Sequence, residues 1–161
     1  MRRWSTWATV FLCLSVVGCD HTTKQLAVSH LSGQGPVSVV PGLLDLRYAE
    51  NTDTAFSLLG GHMGTEPRVM LLSLLGALVT LGLFAFALAR WKLFGLGERV
   101  AVALLLAGAV GNLGERLVRG HVVDFVHVRY WPVFNVADIA VVVGALLFAF
   151  AARRRAPHSA V

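Results

Sequence analysis

The chain has 161 residues, of which 56% are hydrophobic and 14% charged, and its mean hydropathy is +0.68. A soluble domain carries about a quarter of charged residues, so this composition excludes an ordinary soluble domain and indicates a membrane protein. The net charge of +5 does not indicate nucleic-acid binding, because most basic residues flank apolar runs, which is the positive-inside pattern. These flanking residues are Arg2, Arg3, Arg90, Lys92, Arg99, Arg153, Arg154 and Arg155.

Four apolar runs predict four membrane-spanning helices. A spanning helix needs roughly 20 predominantly apolar residues. The predicted spans cover approximately residues 4–28, 67–89, 98–116 and 132–152. Pro67 can open the second helix, and Pro132 lies just before the fourth.

The basic clusters predict the orientation of these spans. Both termini and the loop 90–99 should be cytoplasmic, so that segments 29–66 and 115–131 face outward. In the longer outward segment, β-branched and alternating residues surround Pro41-Gly42 and indicate a small two-stranded element with a turn. The predicted fold is a single all-α polytopic membrane domain over residues 1–161, with four transmembrane helices and a small extracytoplasmic β element.

The end of the first apolar run has two incompatible interpretations. "VVGC" resembles a lipobox, which would make the chain a lipoprotein anchored through Cys19, with a structural or binding function. Alternatively, the helix continues past Cys19 to Val28, which gives 25 residues from Trp4, enough to span the membrane. It then carries Asp20 and Lys24 on one face, in the favourable acid-before-base order. "DHTTKQLAVSHL" has the character of a helix rather than of a flexible tether, which favours the continuous helix.

Two carboxylates near the outer membrane edge are candidates for catalysis. Asp124 follows the third span and Asp138 lies where the fourth begins, so two antiparallel helices would bring them together. Paired carboxyls share a proton, and such a pair can activate a water and protonate a leaving amine. The alternatives are structural: Asp138 can stabilise a helix start capped by Asn135, and Asp124 can be solvated or pair with Arg116.

Two other groups of residues are alternatives to this pair. His121-x-x-Asp124-x-x-His127 has the spacing of a metal site, but the β-branched pattern indicates an extended segment, where positions three apart face opposite sides. Ser57 and Lys24 are a possible serine–lysine pair, although nothing in the sequence orients them together. Both patterns are weaker than the carboxylate pair.

Three asparagines lie near predicted outer membrane edges: Asn51, Asn112 and Asn135. Amide side chains both donate and accept hydrogen bonds, so they can hold an extended peptide backbone. They can equally cap helix ends or bridge helices. We expect all three to line one outward-facing site, because an unpaired buried amide is costly.

Four blocks of the sequence, in order, resemble the lipoprotein signal peptidase (signal peptidase II) family. "CDHTTKQLA" contains its Asp-x-x-x-Lys pattern at Asp20 and Lys24, and "ENTDTAFSLL" resembles its Asn-Thr-Gly-x-Ala-Phe-Ser block. "GAVGNLGERLVRGHVVDF" resembles the block that ends in the first catalytic aspartate, here Asp124. "FNVAD" matches the block that holds the second, here Asp138. The blocks extend from residue 20 to residue 138.

The resemblance implies a four-helix aspartic peptidase of the bacterial inner membrane without metal or organic cofactor, and we expect it to be a monomer. Its substrates would be diacylglyceryl-modified prolipoproteins, cut before the lipidated Cys, and its other partners membrane lipids rather than nucleic acid. Asp124 and Asp138 would be catalytic. The residues expected to bind substrate or support the site are Asp20, Lys24, Asn51, Asn112, Arg116 and Asn135.

Two residues depart from the family pattern. Asp53 replaces a Gly, and Glu115 replaces an Asp that precedes Arg116. These departures motivate an alternative within the family, a cleavage-impaired paralogue that binds lipobox peptides. We expect Glu115 to pair with Arg116 or another nearby base as a structural support, and the resemblance predicts that Glu115→Asp leaves activity equal or higher.

Overall fold

The computed structural model describes residues 2–52 and 64–155. Within these ranges the chain forms four long helices and three short strands. In chain order, they are α1 (Arg2–Leu31), β1 (Val37–Val40), β2 (Leu44–Asn51), α2 (Thr65–Arg90), α3 (Leu96–Arg119), β3 (Val122–Val128) and α4 (Val136–Arg155). The fold is therefore mostly helical, as predicted.

Three of the helices are long and apolar enough to cross a membrane among the residues described. They are α2, α3 and α4, over Thr65–Arg90, Leu96–Arg119 and Val136–Arg154. The last begins four residues later than the predicted position 132. The cause is local, because Phe134 pairs with Val126 as an isolated β-bridge and holds this segment extended up to the start of α4.

Helix α1 is continuous from Arg2 to Leu31 and passes through Cys19 without a break. The interpretation of this stretch as an extended helix is confirmed at the level of structure. Asp20 and Lys24 lie on one face and form an ion pair at 2.8 Å between Asp20 Oδ2 and Lys24 Nζ. Cys19 is exposed on the surface of the helix.

Helix α3 is the centre of the bundle and packs against each of the other three helices. Its contact with α4 is close because glycines, which have no side chain, lie at the interface. A Cβ at Gly108 would overlap the Ala137 carbonyl oxygen, and a Cβ at Gly144 would lie 2.8 Å from the Ala101 carbonyl oxygen. The backbones of α3 and α4 are therefore in contact at Gly108 and again at Gly144.

The three strands form one antiparallel sheet in the order β1-β2-β3. The predicted hairpin around Pro41-Gly42 is present as β1 and β2, with Gly42 at φ 74° in the turn. The prediction of two strands was incomplete, because β3 pairs with β2 along its length, from Leu44↔Val128 to Asn51↔Val122. The sheet packs on the end of α1, where Ala27, Leu31 and Val123 form a buried cluster.

Candidate active site

Asp124 lies on β3, just after the turn that ends α3. Gly120 terminates the helix in the left-handed conformation (φ 75°), which a residue without Cβ adopts at no steric cost, and the chain reverses into the strand. The Asp124 side chain is buried and accepts two hydrogen bonds. Asn51 Nδ2 donates to Oδ2 at 2.8 Å, and Asn135 Nδ2 donates to Oδ1 at 2.6 Å.

Asp138 lies in the first turn of α4 and is held by Asn135 and Asn112. Asn135 Oδ1 accepts a hydrogen bond from the Asp138 amide at 3.0 Å, and Asp138 Oδ2 accepts one from the Asn135 amide at 3.2 Å. This reciprocal pattern is a helix capping box, so the predicted capping role of Asn135 is present. The other oxygen, Oδ1, accepts from Asn112 Nδ2 at 2.8 Å.

Asn135 joins the two carboxylates into one network. Its side chain binds Asp124, its backbone and side chain bind Asp138, and its Nδ2 also donates to Asn112 Oδ1 at 3.2 Å. Asn135 is fully buried. Three separate elements, β3, α3 and α4, therefore present their polar groups to one buried region at the sheet end of the bundle.

A second buried group, formed by Asp20 and Lys24, supports this network from α1. Lys24 Nζ donates to Asn112 Oδ1 at 3.0 Å, and the Lys24 side chain is fully buried. Asp20 Oδ1 accepts a hydrogen bond from the Ala137 amide at 2.8 Å. This acid therefore binds a free backbone N–H at the start of α4, where the helix dipole favours negative charge.

Burial dominates the electrostatics of Asp124. Desolvation raises the pKa of Asp124 to about 6, assisted by the charge of Asp138 and opposed by the hydrogen bonds from Asn51 and Asn135 and by the charge of Lys24. Arg116 is partly buried on α3 and interacts electrostatically with both carboxylates. The site thus combines two carboxyls, of which Asp124 has a raised pKa, with a cation close to both.

A sequence model described as signal peptidase (SPase) II matches residues 12–153 of the chain. The chain belongs to the signal peptidase II family. It is 37% identical over 153 residues to the lipoprotein signal peptidase of Chlorobium phaeovibrioides, covering 85% of this chain and 85% of that protein. It is 41% identical over 144 residues to a lipoprotein signal peptidase of Acinetobacter baumannii, covering 86% and 80%.

A solved bacterial membrane enzyme, determined by the in meso method, has the same fold. Its TM-score is 0.79 at 23% sequence identity, over 95% of this chain and 92% of that chain. Membership of the signal peptidase II family makes this chain a membrane protease, and the resemblance read from the four sequence blocks is confirmed.

The geometry gathers the residues expected in a signal peptidase II site. The three asparagines lie in one hydrogen-bond network with both aspartates, although they are distant in sequence.

The two histidines of the alternative metal site lie in different surroundings. His121 and His127 lie near acids other than Asp124, with Nδ1 at 4.0 Å from Glu50 Oε2 and at 3.7 Å from Asp45 Oδ2 respectively. In the described ranges, no three His, Cys, Asp or Glu side chains gather as metal ligands.

Asp53 and Ser57 lie outside the described residues, so the structure tests neither the serine–lysine hypothesis nor the effect of the Gly-to-Asp departure. The sequence analysis missed one contact of the site. A Cβ at Gly111 would lie 2.7 Å from Asp20 Oδ2, so this glycine makes room for the Asp20 carboxylate. The predicted ion pair of Glu115 with a nearby base is confirmed, and the base is Arg119, at 3.0 Å between Oε1 and Nε.

Proposed function

We propose that this chain is an aspartic endopeptidase that removes the signal peptide from diacylglyceryl-modified prolipoproteins by cutting the peptide bond before the lipidated Cys. The observation that carries this proposal is the buried bridge from Asp124 through Asn135 to Asp138, in which each carboxylate also binds a second asparagine. Family membership supplies the substrate class, and the bridge supplies an acid and a base.

The two carboxyls divide the chemistry of hydrolysis between them. One ionised carboxylate takes a proton from a water molecule, and the water oxygen attacks the scissile carbonyl carbon. The other carboxyl carries the proton that the leaving amine finally receives. In the active state, one proton is shared between Asp124 and Asp138. This mechanism requires no metal ion or organic cofactor, since both proton-transfer groups are carboxyls.

The neighbouring polar residues position the pair and the substrate. Asn135 fixes the orientation of both carboxylates, Asn112 that of Asp138, and Asn51 holds Oδ2 of Asp124. Arg116 offsets part of the negative charge that develops when water attacks. Amide groups not engaged by the carboxylates can bind the extended backbone around the lipobox.

Asp20 and Lys24 hold α1 and the start of α4 in register with this site. Lys24 donates to the same Asn112 oxygen that accepts from Asn135, and Asp20 binds the Ala137 amide, next to Asp138. Neither side chain forms a direct hydrogen bond with a carboxylate of the dyad, Asp124 and Asp138, in the described contacts. Their role is to shape the site rather than to transfer protons.

The protein is one polytopic domain with four spans, and α1 is the additional one. Near its start, Ser5 Oγ accepts from Arg99 Nη1 at 2.7 Å, and further along, Lys24 meets Asn112. Arg99 and Asn112 are both on α3, so α1 runs alongside α3, in the same direction, from Ser5 to Lys24. If α3 crosses the bilayer, α1 crosses it beside α3.

Orientation follows from charge. The basic clusters at both termini and in the loop between α2 and α3 lie in the cytoplasm, and the sheet and the dyad lie at the outer face of the bacterial inner membrane. The protein acts as a monomer among membrane lipids, and nucleic acid has no part. The diacylglyceryl group and the apolar signal helix of the substrate bring the lipobox to this level of the membrane.

The two alternatives are less favoured. A cleavage-impaired paralogue would not need both carboxylates in a complete hydrogen-bond network. A lipoprotein anchored through Cys19 would lose the part of α1 before Cys19, including Ser5, which binds Arg99 at the other end of the bundle.

The experiment is cleavage of a synthetic prolipoprotein peptide by the purified protein in detergent. Mass spectrometry should find one cut, directly before the Cys, in the diacylglyceryl-modified peptide and much less in the unmodified peptide. Cleavage elsewhere, or equal cleavage of the unmodified peptide, would contradict the proposed substrate class.

A further inference from the structure

Glu115 lies near the end of α3, and its carboxylate is largely buried, with 7% of the side chain exposed. Oε2 accepts a hydrogen bond from the backbone N–H of Val123 at 3.1 Å. Oε1 pairs with Arg119 Nε at 3.0 Å. The carboxylate therefore joins α3 to the strand residue that immediately precedes Asp124.

The position of Val123 controls the direction of Asp124. The Val123 side chain is fully buried against Ala27 and Leu31 of α1, while its amide is bound by Glu115. Successive side chains of a strand point to opposite faces. A strand fixed at Val123 from both sides therefore directs the Asp124 carboxylate toward the asparagines on the other face.

We propose that Glu115 is a positioning residue for Asp124 and that the strand requires the length of this side chain rather than its charge. The inference rests on the proposed catalytic role of Asp124. An Asp at position 115 withdraws the carboxylate by one C–C bond, about 1.5 Å, which is too far to keep a hydrogen bond that is now 3.1 Å long. Family resemblance alone predicts that Asp is tolerated here, and the contacts predict the opposite.

Two substitutions separate length from charge. Glu115→Asp keeps the charge but not the reach, whereas Glu115→Gln keeps the reach and an acceptor oxygen for Val123 but not the charge. We expect Glu115→Asp to lower kcat by about 10- to 100-fold with KM nearly unchanged, because a displacement of about 1 Å at a catalytic group has effects of that size. We expect Glu115→Gln to stay within about threefold of wild type, since the lost ion pair is partly exposed and contributes little.

Arg119→Gln is the matched control. It removes the ion pair while leaving the bond from Val123 to Glu115, and its kcat should also stay within about threefold of wild type. Glu115→Asp with a kcat equal to or above that of Glu115→Gln would overturn the inference. So would a loss beyond about tenfold in a folded Glu115→Gln protein, whether or not Glu115→Asp folds.

Amide hydrogen exchange gives a readout that needs no substrate. In the purified proteins, the Val123 amide should exchange faster in Glu115→Asp than in wild type and Glu115→Gln. Equal exchange in all three proteins would contradict the inference. If the wild-type protein does not cut a lipidated prolipoprotein peptide, the proposed function fails, and the exchange data still decide whether Glu115 holds the strand.

Discussion

Removing the buried cation of α1 should destabilise the end of the bundle that carries the sheet. The Lys24 side chain is 0% exposed and lies 2.8 Å from Asp20, which is 2% exposed. Lys24→Met keeps most of the volume of the side chain but leaves the Asp20 carboxylate buried without its counter-charge. Breaking a buried ion pair from one side costs about 3–5 kcal/mol, so we expect a loss of this size in the free energy of unfolding.

A second variant tests whether the orphaned charge is the cause. In Lys24→Met combined with Asp20→Asn, the amide oxygen can still accept from the Ala137 amide, and no charge is left unpaired. The remaining cost is that of lost hydrogen bonds, about 1–3 kcal/mol. The double variant should therefore be more stable than Lys24→Met alone, although it carries one more substitution.

The assay is equilibrium unfolding of the purified proteins in detergent, followed by circular dichroism. Lys92→Met is the control, because Lys92 is exposed in the loop between α2 and α3 and such surface changes stay within about 0.5 kcal/mol. A Lys24→Met protein as stable as this control, or a double variant less stable than Lys24→Met, would refute the account of the Asp20–Lys24 pair.

Three other predictions concern packing, pH and processing. Gly108→Ala should destabilise the protein in the same unfolding assay, because the added Cβ would overlap the backbone of α4. Gly114→Ala should be neutral or stabilising, because no atom lies within 4 Å of the added Cβ, and equal effects of the two substitutions would contradict the close packing. Burial raises the pKa of Asp124 to about 6, and the hydrogen bond from Asn51 opposes that rise. Asn51→Leu should therefore move the limb of the kcat/KM–pH profile that Asp124 controls to higher pH. A limb that stays in place or moves to lower pH would contradict this role of Asn51. Intact-mass analysis should find Cys19 unlipidated and the chain uncut before it, and a diacylated N-terminal Cys19 would overturn this.

The helices were predictable because each signal is local. Apolar runs flanked by basic residues predict the helices to within a few residues of their ends, and the i,i+4 spacing of Asp20 and Lys24 predicts their ion pair. The antiparallel arrangement of the third and fourth predicted spans was enough to predict that Asp124 and Asp138 lie close together, and the order of four short blocks was enough to identify the family. These blocks contain polar residues at membrane depth, where a polar residue is energetically costly and usually functional.

The rest depends on contacts between residues far apart in the chain. The pairing of β2 with β3 joins Asn51 to Val122, and no local pattern specifies which strand a short apolar segment will meet. The same holds for Asp20, which binds an amide 117 residues away. Glu115 resembled a conservative replacement by chemistry, but its reach to Val123 is a property of the packed geometry.

The most direct test of the catalytic assignment is cleavage of a lipidated prolipoprotein peptide by wild type, Asp124→Asn, Asp138→Asn and the double variant, each with and without a chelator. If the two carboxyls share one proton around a water, each single variant abolishes cleavage and the double variant is hardly worse, because residues that act as a unit are non-additive. All three variants should still bind the peptide, and the chelator should have no effect. Near wild-type turnover by either single variant would contradict the aspartic mechanism.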